Sequence, residues 1–531
     1  MRPLQPTFSR PGRRAFLLGT VALAVLSFST HAASADTDPL AESDPVAFDF
    51  DVLSARAKQA AGKPYIAPDP APGLPEKLTY DLYRQIAFNP EHARWRDNGA
   101  QFQMHAFHMG WLFPTPVGMF EVTDGTARPF AFEPSDFDYR HDAKGIMDDV
   151  ETFPGVAGFR LHYRLNRADI FDELLAFQGA SYFRALGRGN AYGLSARGLA
   201  IATAGESPEE FPTFTEFYLE RPGVDDTRIT LFAMLDSPSV SGAYRFVITP
   251  GQDTTIDVTA RLWFREDTPH FGVAPLTSMY LYSDADRVMF DDYRPQVHDS
   301  DGLLIQQGSG DTLWRALTNP PHISTSHFAE TSPRGFGLHQ RDRAFSHYQD
   351  PEARYQDRPS VQVETSGDWG AGDVRLVELP TDLEIHDNIV AYWSPEGGAL
   401  KGETREYSYR LHWGMLAPDT EKNVAVVVGT RAGKGGVSGV EQTTDTRKFV
   451  VDFDGALLRN LPPEAAIVPQ VSVGGGEIAG MVLYKVEETG HWRLALDVKP
   501  TAPGPIELMA HIEGYDQRLS ETWLYQWIVT E

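Results

Sequence analysis

The 531-residue chain contains no cysteine, which excludes disulfide bonds, thiolate metal sites and cysteine nucleophiles. After the N-terminus there is also no apolar run near the length of about 18 residues that a membrane span needs. The His-Glu-x-x-His, Gly-x-Ser-x-Gly and phosphate-loop motifs are missing as well. These absences disfavour zinc proteases, serine esterases and nucleotide-dependent enzymes, and we expect neither a cofactor nor a metal ion.

Positive charge is scarce. The chain has 47 Lys and Arg against 73 Asp and Glu, a formal net charge of −26. So acidic a surface argues against nucleic acid and anionic lipid as partners. The excess of acid can equally serve only to keep the protein soluble.

The N-terminus carries a different pattern. Arg13 and Arg14 directly precede an apolar run from Ala15 to Phe28, which is followed by the small residues 33–35. This order predicts a twin-arginine export signal at 1–35 that is cleaved after Ala35, and a mature protein in the periplasm. A short membrane anchor is the alternative, but the apolar run is shorter than the span of about 18 residues.

Frequent breaks and strand-forming residues indicate a mostly β protein. The chain has 46 Gly and 38 Pro, together with 31 Phe, 20 Tyr and 10 Trp. Apolar and polar residues alternate over 255–265, as in a strand with one buried face. Helical periodicity is limited to about 46–61, 80–88 and 168–177.

The spacing of apolar runs changes near residue 414. Residues 414–422 predict a linker between a large domain at 36–413 and a smaller one at 423–531. Seven short apolar runs in the second domain favour an immunoglobulin-like sandwich. These runs lie near 423–430, 447–454, 467–473, 477–486, 491–499, 505–513 and 522–529.

Polar, charged and aromatic residues are interleaved most closely over 291–413. Such a mixture is typical of a sugar site, where aromatic faces stack on the rings and polar side chains bind the hydroxyls. Turn residues and surface ion pairs of a large sandwich are the alternative interpretation.

The same stretch resembles the periplasmic glucan biosynthesis family, OpgG and OpgD, also called MdoG and MdoD. The resemblance runs from about Phe48 to the C-terminus, and the twin-arginine signal is more similar to the OpgD branch. It implies a large N-terminal antiparallel β-sandwich of the galactose-mutarotase-like kind, an immunoglobulin-like C-terminal domain and β-1,2-glucan as ligand. Its most specific pieces are Val-His-Asp-Ser-Asp-Gly-Leu (297–303), Gly-Phe-Gly-Leu-His-Gln-Arg-Asp-Arg (335–343), Phe-Ser-His-Tyr-Gln-Asp (345–350), Arg-Pro-Ser (358–360) and Asp-Asn-Ile-Val-Ala-Tyr-Trp (387–393).

The resemblance also implies a chemistry, inverting endo-β-1,2-glucan hydrolysis, which needs one carboxylic acid and one carboxylate base. By similarity Asp387 is the acid and Asp299 is the base. Asp387 precedes the apolar run 389–393, where we expect burial to keep it protonated, whereas Asp299 lies in a polar segment where we expect it to stay ionised. From local sequence alone, both aspartates are equally typical of turns.

Five further residues are candidates for binding the sugar. We expect Tyr355 and Glu384 to orient the sugar around the acid. Weaker candidates for subsites are Trp369, Arg343 and His339.

Two other functions use the same kind of cleft. One is a non-catalytic glucan-binding or scaffold protein that guides polymer to a glucan synthase or transferase, and the other is a transglycosylase that excludes water. The sequence leaves these open, together with a possible homodimer.

Overall fold

The computed structural model describes residues 45–71, 78–148, 153, 155–205, 207–421, 424–436, 439 and 445–530. The predicted export signal lies outside the described residues. Within them the chain is mostly strand, so the predicted mostly β fold class is confirmed.

The strands are numbered in chain order. The first seventeen are β1 (Val46–Ala47), β2 (Ile86–Phe88), β3 (Phe102–His108), β4 (Gly118–Thr123), β5 (Thr126–Pro129), β6 (Phe137–Tyr139), β7 (Val156–Tyr163), β8 (Asp172–Gln178), β9 (Tyr182–Ala185), β10 (Ser195–Arg197), β11 (Leu199–Ile201), β12 (Thr213–Glu220), β13 (Ile229–Asp236), β14 (Val240–Thr249), β15 (Thr254–Phe264), β16 (Phe271–Ser278) and β17 (Tyr280–Tyr282). The others are β18 (Val297–His298), β19 (Gly302–Gln306), β20 (Thr312–Ala316), β21 (Ser324–Thr331), β22 (Gly335–His339), β23 (Ser360–Ser366), β24 (Ala371–Glu378), β25 (Ile389–Pro395), β26 (Thr404–Gly414), β27 (Val426–Lys434), β28 (Arg447–Asp454), β29 (Ile467–Gly474), β30 (Gly476–Lys485), β31 (Trp492–Pro500), β32 (Gly504–Gly514), β33 (Gln517–Arg518) and β34 (Thr522–Val529).

Two large sheets dominate the described part of the chain. One has 16 strands in the order β1-β5-β4-β12-β13-β14-β15-β26-β23-β22-β19-β20-β34-β32-β29, with β33 on β32. The other has ten in the order β21-β24-β25-β16-β10-β9-β8-β7-β3, with β11 on β16. Pairing is antiparallel except between β4 and β12 and between β20 and β34.

The main core lies between these sheets because their strands alternate buried and outward-facing residues. In β15, Ile256, Val258, Ala260 and Leu262 are buried while the intervening residues are partly exposed, as the sequence predicts. Large rings fill the space that the two sheets enclose. They include Phe159, Phe177, Phe246, Trp393 and Trp413.

The helices are short, the predicted helix at 168–177 is wrong, and the one predicted at 80–88 is a helix only over Tyr80–Tyr83, because Ile86–Phe88 forms β2 and pairs with β6. The structure has α1 (Phe50–Ala61), α2 (Tyr80–Tyr83), α3 (Phe345–Tyr348) and α4 (Ala456–Asn460). The segment predicted as a helix at 168–177 instead contributes strand β8, which pairs with β7 and β9. Cross-strand pairing and the packing of Phe177 against neighbouring rings override the weak helical period.

Each of the seven apolar runs predicted beyond residue 422 is a strand, from β27 to β32 and β34. Four of these strands form the sheet β27-β28-β31-β30, while β34, β32 and β29 continue the 16-stranded sheet beyond β20. Trp314 of β20 packs in the same core as Phe449 and Trp523. The domain boundary at 414–422 and the immunoglobulin-like assignment stay predictions.

Among the helices that the structure describes, none is both long enough and apolar enough to cross a membrane.

Candidate functional site

Asp299 directly follows β18 in the chain and lies beside the junction of strands β16 and β17. Its backbone N–H donates to the carbonyl of Met279 over 2.8 Å, and the hydroxyls of Ser300 and Ser278 are 2.9 Å apart. These contacts hold the segment that follows β18 against the end of β16.

Asp387 is held beside the same point by its neighbour Asn388. The buried amide of Asn388 accepts from the N–H of Tyr280 over 2.8 Å and donates to the carbonyl of Tyr280 over 2.9 Å. Met279 links β16 to β17 and Tyr280 is the first residue of β17, so Asp299 and the neighbour of Asp387 bind consecutive residues at the junction of these strands.

The environments of the two aspartates are the reverse of those expected. Asp299 is only 4% exposed, and burial raises its pKa to about 6. The Asp387 carboxylate adds to that rise, which shows that the two carboxylates interact electrostatically. Asp299 therefore does not lie in an open polar turn, and the expectation that it does is wrong.

Asp387 is the open member of the pair, with a side chain that is 38% exposed. Burial begins only at Asn388, so the expectation that the apolar run 389–393 also buries Asp387 is wrong. A nearby cation, Arg184 of β9, places Nη2 3.7 Å from Oδ2 of Asp387, and its Nε donates to Ser195 over 2.8 Å.

Tyr355 joins this site through Arg358. The Arg358 guanidinium donates to the carboxylate of Asp299 and lies 4.3 Å from the centroid of the Tyr355 ring. Burial first, and then the charge of Glu384, raises the pKa of Tyr355 above its ordinary value. Tyr355 is thus within the electrostatic field of Asp299 and Glu384, but it is only 1% exposed, so it does not offer an open ring face to a sugar.

Glu384 is connected to the same loop by an arginine. Arg294 donates to Glu384 over 2.6 Å and to Asp350 over 3.0 Å. Asp350 in turn accepts from the backbone N–H groups of Glu352 and Ala353 over 3.0 and 2.8 Å. The residues that lead to Tyr355 are therefore tied to Glu384 through one ion-pair chain.

Arg343 contacts the backbone of the loop that carries Tyr355. Its guanidinium donates to the carbonyl oxygens of Gln356, Arg358 and Met415 and to the hydroxyl of Ser360. These contacts occupy the guanidinium with the backbone of the loop that carries Tyr355. Its predicted place in a sugar subsite has no support in its contacts.

His339 and Trp369 are buried. His339 pairs with Gln362 over 2.8 Å, and burial lowers its pKa to about 3. Trp369 packs on Tyr407 with ring centroids 5.4 Å apart and donates from Nε1 to the carbonyl of Ser408 over 3.3 Å. Neither side chain presents a free face to a sugar, which contradicts the weaker prediction for both.

Trp369 also lies at the end of the β24–β25 hairpin that is far from Asp387. It precedes β24, which pairs with β25 from Gly372 opposite Pro395 to Glu378 opposite Ile389. Asp387 adjoins the Ile389 end, so six residues of strand, about 20 Å at 3.3 Å per residue, separate the two ends.

Three arginines of the site, Arg184, Arg294 and Arg358, were not predicted as site residues. Arg358 is the first residue of the Arg-Pro-Ser piece of the resemblance, and this was the one indication in the sequence that it belongs to the site. Asp299 lies 59 residues from Arg358, and Glu384 lies 90 residues from Arg294, whose only ion-pair partner nearby in sequence among the described residues is Asp292. Separations of this size leave no local pattern.

The described residues contain no group of three or more His, Asp or Glu side chains placed to hold a metal ion. The site offers one buried carboxyl group, one exposed carboxyl group, a tyrosine near the buried one and several hydrogen-bonded arginines. Two carboxyl groups in different environments suit general acid and base catalysis at a substrate with many hydroxyls.

A family model described as "Periplasmic glucan biosynthesis protein, MdoG" matches residues 48–527. The "Glucans biosynthesis protein G" of Cereibacter sphaeroides is 51% identical over 515 residues, 96% of this chain and 95% of that protein. Proteins of the same name from Shewanella sp. strain W3-18-1 and Rhodopseudomonas palustris strain BisA53 are 45% and 44% identical, covering 91% of this chain in both cases and 87% and 94% of theirs.

Among solved structures, the GH36 α-galactosidase AgaA of Geobacillus stearothermophilus in complex with raffinose aligns with 49% of this chain and 39% of its own. Its TM-score of 0.24 and identity of 9% are too low to carry an argument. The relatives above bear the name of the G branch, so they give the predicted D branch no support. The family model and the identities over nearly the whole length show that the chain belongs to the MdoG family of periplasmic glucan biosynthesis proteins.

Proposed function

We propose that this protein is an inverting endo-β-1,2-glucanase that trims the backbone of periplasmic glucans. Membership of a glucan biosynthesis family supports glucan as the substrate class. The observation that carries the proposal is that Asp299 and the neighbour of Asp387 bind consecutive residues at the junction of β16 and β17, and that Asp299 is buried while Asp387 is exposed.

In this proposal Asp387 is the general acid. Its exposed carboxyl group can meet the oxygen of a glycosidic bond that lies on the surface of the site. It donates its proton to that oxygen as the bond to the anomeric carbon breaks. The released sugar end leaves as a neutral alcohol.

Asp299 is the general base. Burial raises its pKa to about 6, and the guanidinium of Arg358 opposes that rise, so the carboxylate is ionised at neutral pH. It accepts one proton from a water molecule whose oxygen bonds to the anomeric carbon from the opposite face. Because Asp299 is buried, we propose that this proton travels through a water or a sugar hydroxyl rather than directly.

The binding roles are divided between two residues. Glu384, whose side chain is 40% exposed, orients the sugar around Asp387 directly, and Tyr355, which is only 1% exposed, helps to orient it through the network that surrounds the two aspartates. Arg343 contacts the backbone of the loop that carries Tyr355.

The place of action is also proposed. Export through the twin-arginine pathway and cleavage after Ala35 would deliver a folded enzyme to the periplasm. There its partners would be the glucan and possible synthase or transferase machinery.

The direct test is to incubate the purified mature protein with linear β-1,2-glucan. Inverting hydrolysis predicts a rise in reducing ends, shorter chains and α-configured ends as the first product seen by NMR. Redistributed chain lengths without new reducing ends would indicate a transglycosylase. Unchanged chains that are retained on immobilised glucan would indicate a scaffold protein.

A further inference from the structure

Arg358 has three contacts on three sides of its planar guanidinium. One Nη1–H donates to Asp299, Nε donates to the carbonyl of Ala353 over 3.1 Å, and the plane lies over the ring of Tyr355. A guanidinium can satisfy a carboxylate, a carbonyl and an aromatic face together because it is flat and carries donors along its rim.

The backbone and stem of Arg358 are equally fixed. Its N–H donates to the carbonyl of Tyr355 over 3.2 Å, and its own carbonyl accepts from Arg343. Gly193 leaves room for the stem, because a Cβ atom on that glycine would come within 2.9 Å of Cβ of Arg358. These contacts hold the side chain of Arg358 in its observed position.

Asp299 depends on this cation more than on any other. The charged and titratable groups that interact with Asp299 are Arg358, Asp387, Arg184, Tyr348 and Tyr355. Of the two cations, only Arg358 forms a hydrogen bond with Asp299, whereas Arg184 pairs with Asp387. Without Arg358, the buried carboxylate of Asp299 would have no cation bonded to it.

We propose that Arg358 is a positioning residue that holds the Asp299 carboxylate and the Tyr355 ring in one fixed arrangement. This rests on the proposed function, in which Asp299 accepts a proton and Tyr355 orients the sugar. The arginine supplies both a charge for the base and a flat support for the ring.

A lysine at this position separates the effect of the charge on Asp299 from the effect of the flat support on Tyr355. Arg358→Lys can keep a positive charge near Asp299, but a point charge on a flexible stem cannot also bond to the Ala353 carbonyl and cover the Tyr355 ring. Arg358→Gln removes the charge as well. Arg354→Gln is the matched control, because Arg354 belongs to the same loop and its side chain, which is 53% exposed, pairs with Asp357 and not with Asp299.

The experiment measures kcat and KM of wild type and the three variants on linear β-1,2-glucan from pH 4 to 8, with thermal unfolding at each pH. For Arg358→Gln we expect kcat to fall roughly 10²-fold, as for loss of the base, and the acid limb of kcat/KM to move up by about one pH unit or more. Arg358→Lys should keep the acid limb near its wild-type position and still lose about tenfold in kcat. Arg354→Gln should match wild type.

A wild-type acid limb and wild-type kcat in Arg358→Gln would overturn this proposal while leaving the proposed hydrolase intact. If wild type itself releases no reducing ends, the proposed function fails instead. Arg358→Lys is the second variant, in case Arg358→Gln does not fold. A folded lysine variant whose acid limb moves up by about one pH unit or more, the shift expected of Arg358→Gln, would also contradict the division of roles.

Discussion

Lowering the pH below 6 should lower the hydrolysis rate of the folded protein. Asp299 has a pKa of about 6, raised mainly by burial, and it must be ionised to act as the base. A single group with this pKa is about half ionised at pH 6, about one tenth at pH 5 and about one hundredth at pH 4. We therefore expect kcat/KM to fall about tenfold per pH unit below pH 6, to roughly 1% at pH 4.

The assay is the initial rate of reducing-end release from linear β-1,2-glucan at concentrations below KM, because kcat/KM reports the free enzyme. Asp301→Asn is the matched control. Burial also raises the pKa of Asp301 to about 6, and one of its oxygens accepts from the N–H groups of Arg341 and Asp342, which an asparagine oxygen can still do. This variant should keep the same acid limb.

The folded fraction must be measured at each pH, because buried groups act in both directions. His105, His108, His298 and His339, whose pKa values burial lowers to about 3 or 4 from 6.5, take up protons in the unfolded state first and so lower stability as the pH falls below about 6.5. Asp286, Asp299 and Asp301 all have pKa values raised to about 6 from 3.8. Between about pH 4 and 6 the folded state binds protons that the unfolded state does not, so these groups add stability as the pH falls. Carboxylates with lowered pKa, such as Asp452 and Asp454, lose their stabilising effect only at lower pH. A flat rate down to pH 4, or an acid limb that disappears in Asp301→Asn, would refute the reasoning about Asp299.

Three further predictions concern export, the C-terminal strands and Trp369. Replacing Arg13 and Arg14 by lysine should leave precursor in the cytoplasm on fractionation, whereas mature periplasmic protein in a strain without twin-arginine translocation would contradict the predicted signal. Glu521→Gln should lower the free energy of unfolding in urea by about 3 kcal/mol, because the buried guanidinium of Arg341 loses a carboxylate 2.5 Å away; a loss within about 0.5 kcal/mol would contradict this. Trp369→Ala should cost about 3–5 kcal/mol and leave glucan affinity unchanged, and a selective loss of affinity would return Trp369 to a subsite.

Regular patterns made the strands predictable. The alternation in β15 and the seven apolar runs beyond residue 422 reflect one-sided burial, which each strand records in its own residues. The segment 168–177 failed because its spacing also fits a helix, and pairing with β7 and β9 decided the outcome. Such pairing depends on distant chain segments.

The sequence predicted several of the residues that form the site but not how deeply each is buried. Asp299, Asp387, Tyr355 and Glu384 do lie in one connected network. Their burial was predicted wrongly because neighbours along the chain do not determine it: Arg358, from a distant loop, bonds to the buried Asp299, whereas the side chain of Asp387 stays 38% exposed among the described residues. Aromatic content likewise misplaced Trp369, since a tryptophan at a strand end suits a core as well as a sugar.

The most direct test of the central claim is the hydrolysis rate of Asp299→Asn and Asp387→Asn on linear β-1,2-glucan at neutral pH, with glucan binding measured on the same samples. Asparagine keeps the size of the side chain but can neither supply nor accept the required proton. We predict that each variant folds, binds glucan nearly as well as wild type and releases reducing ends about 10²- to 10⁴-fold more slowly. Near wild-type rates in both variants, with wild type active, would contradict the account.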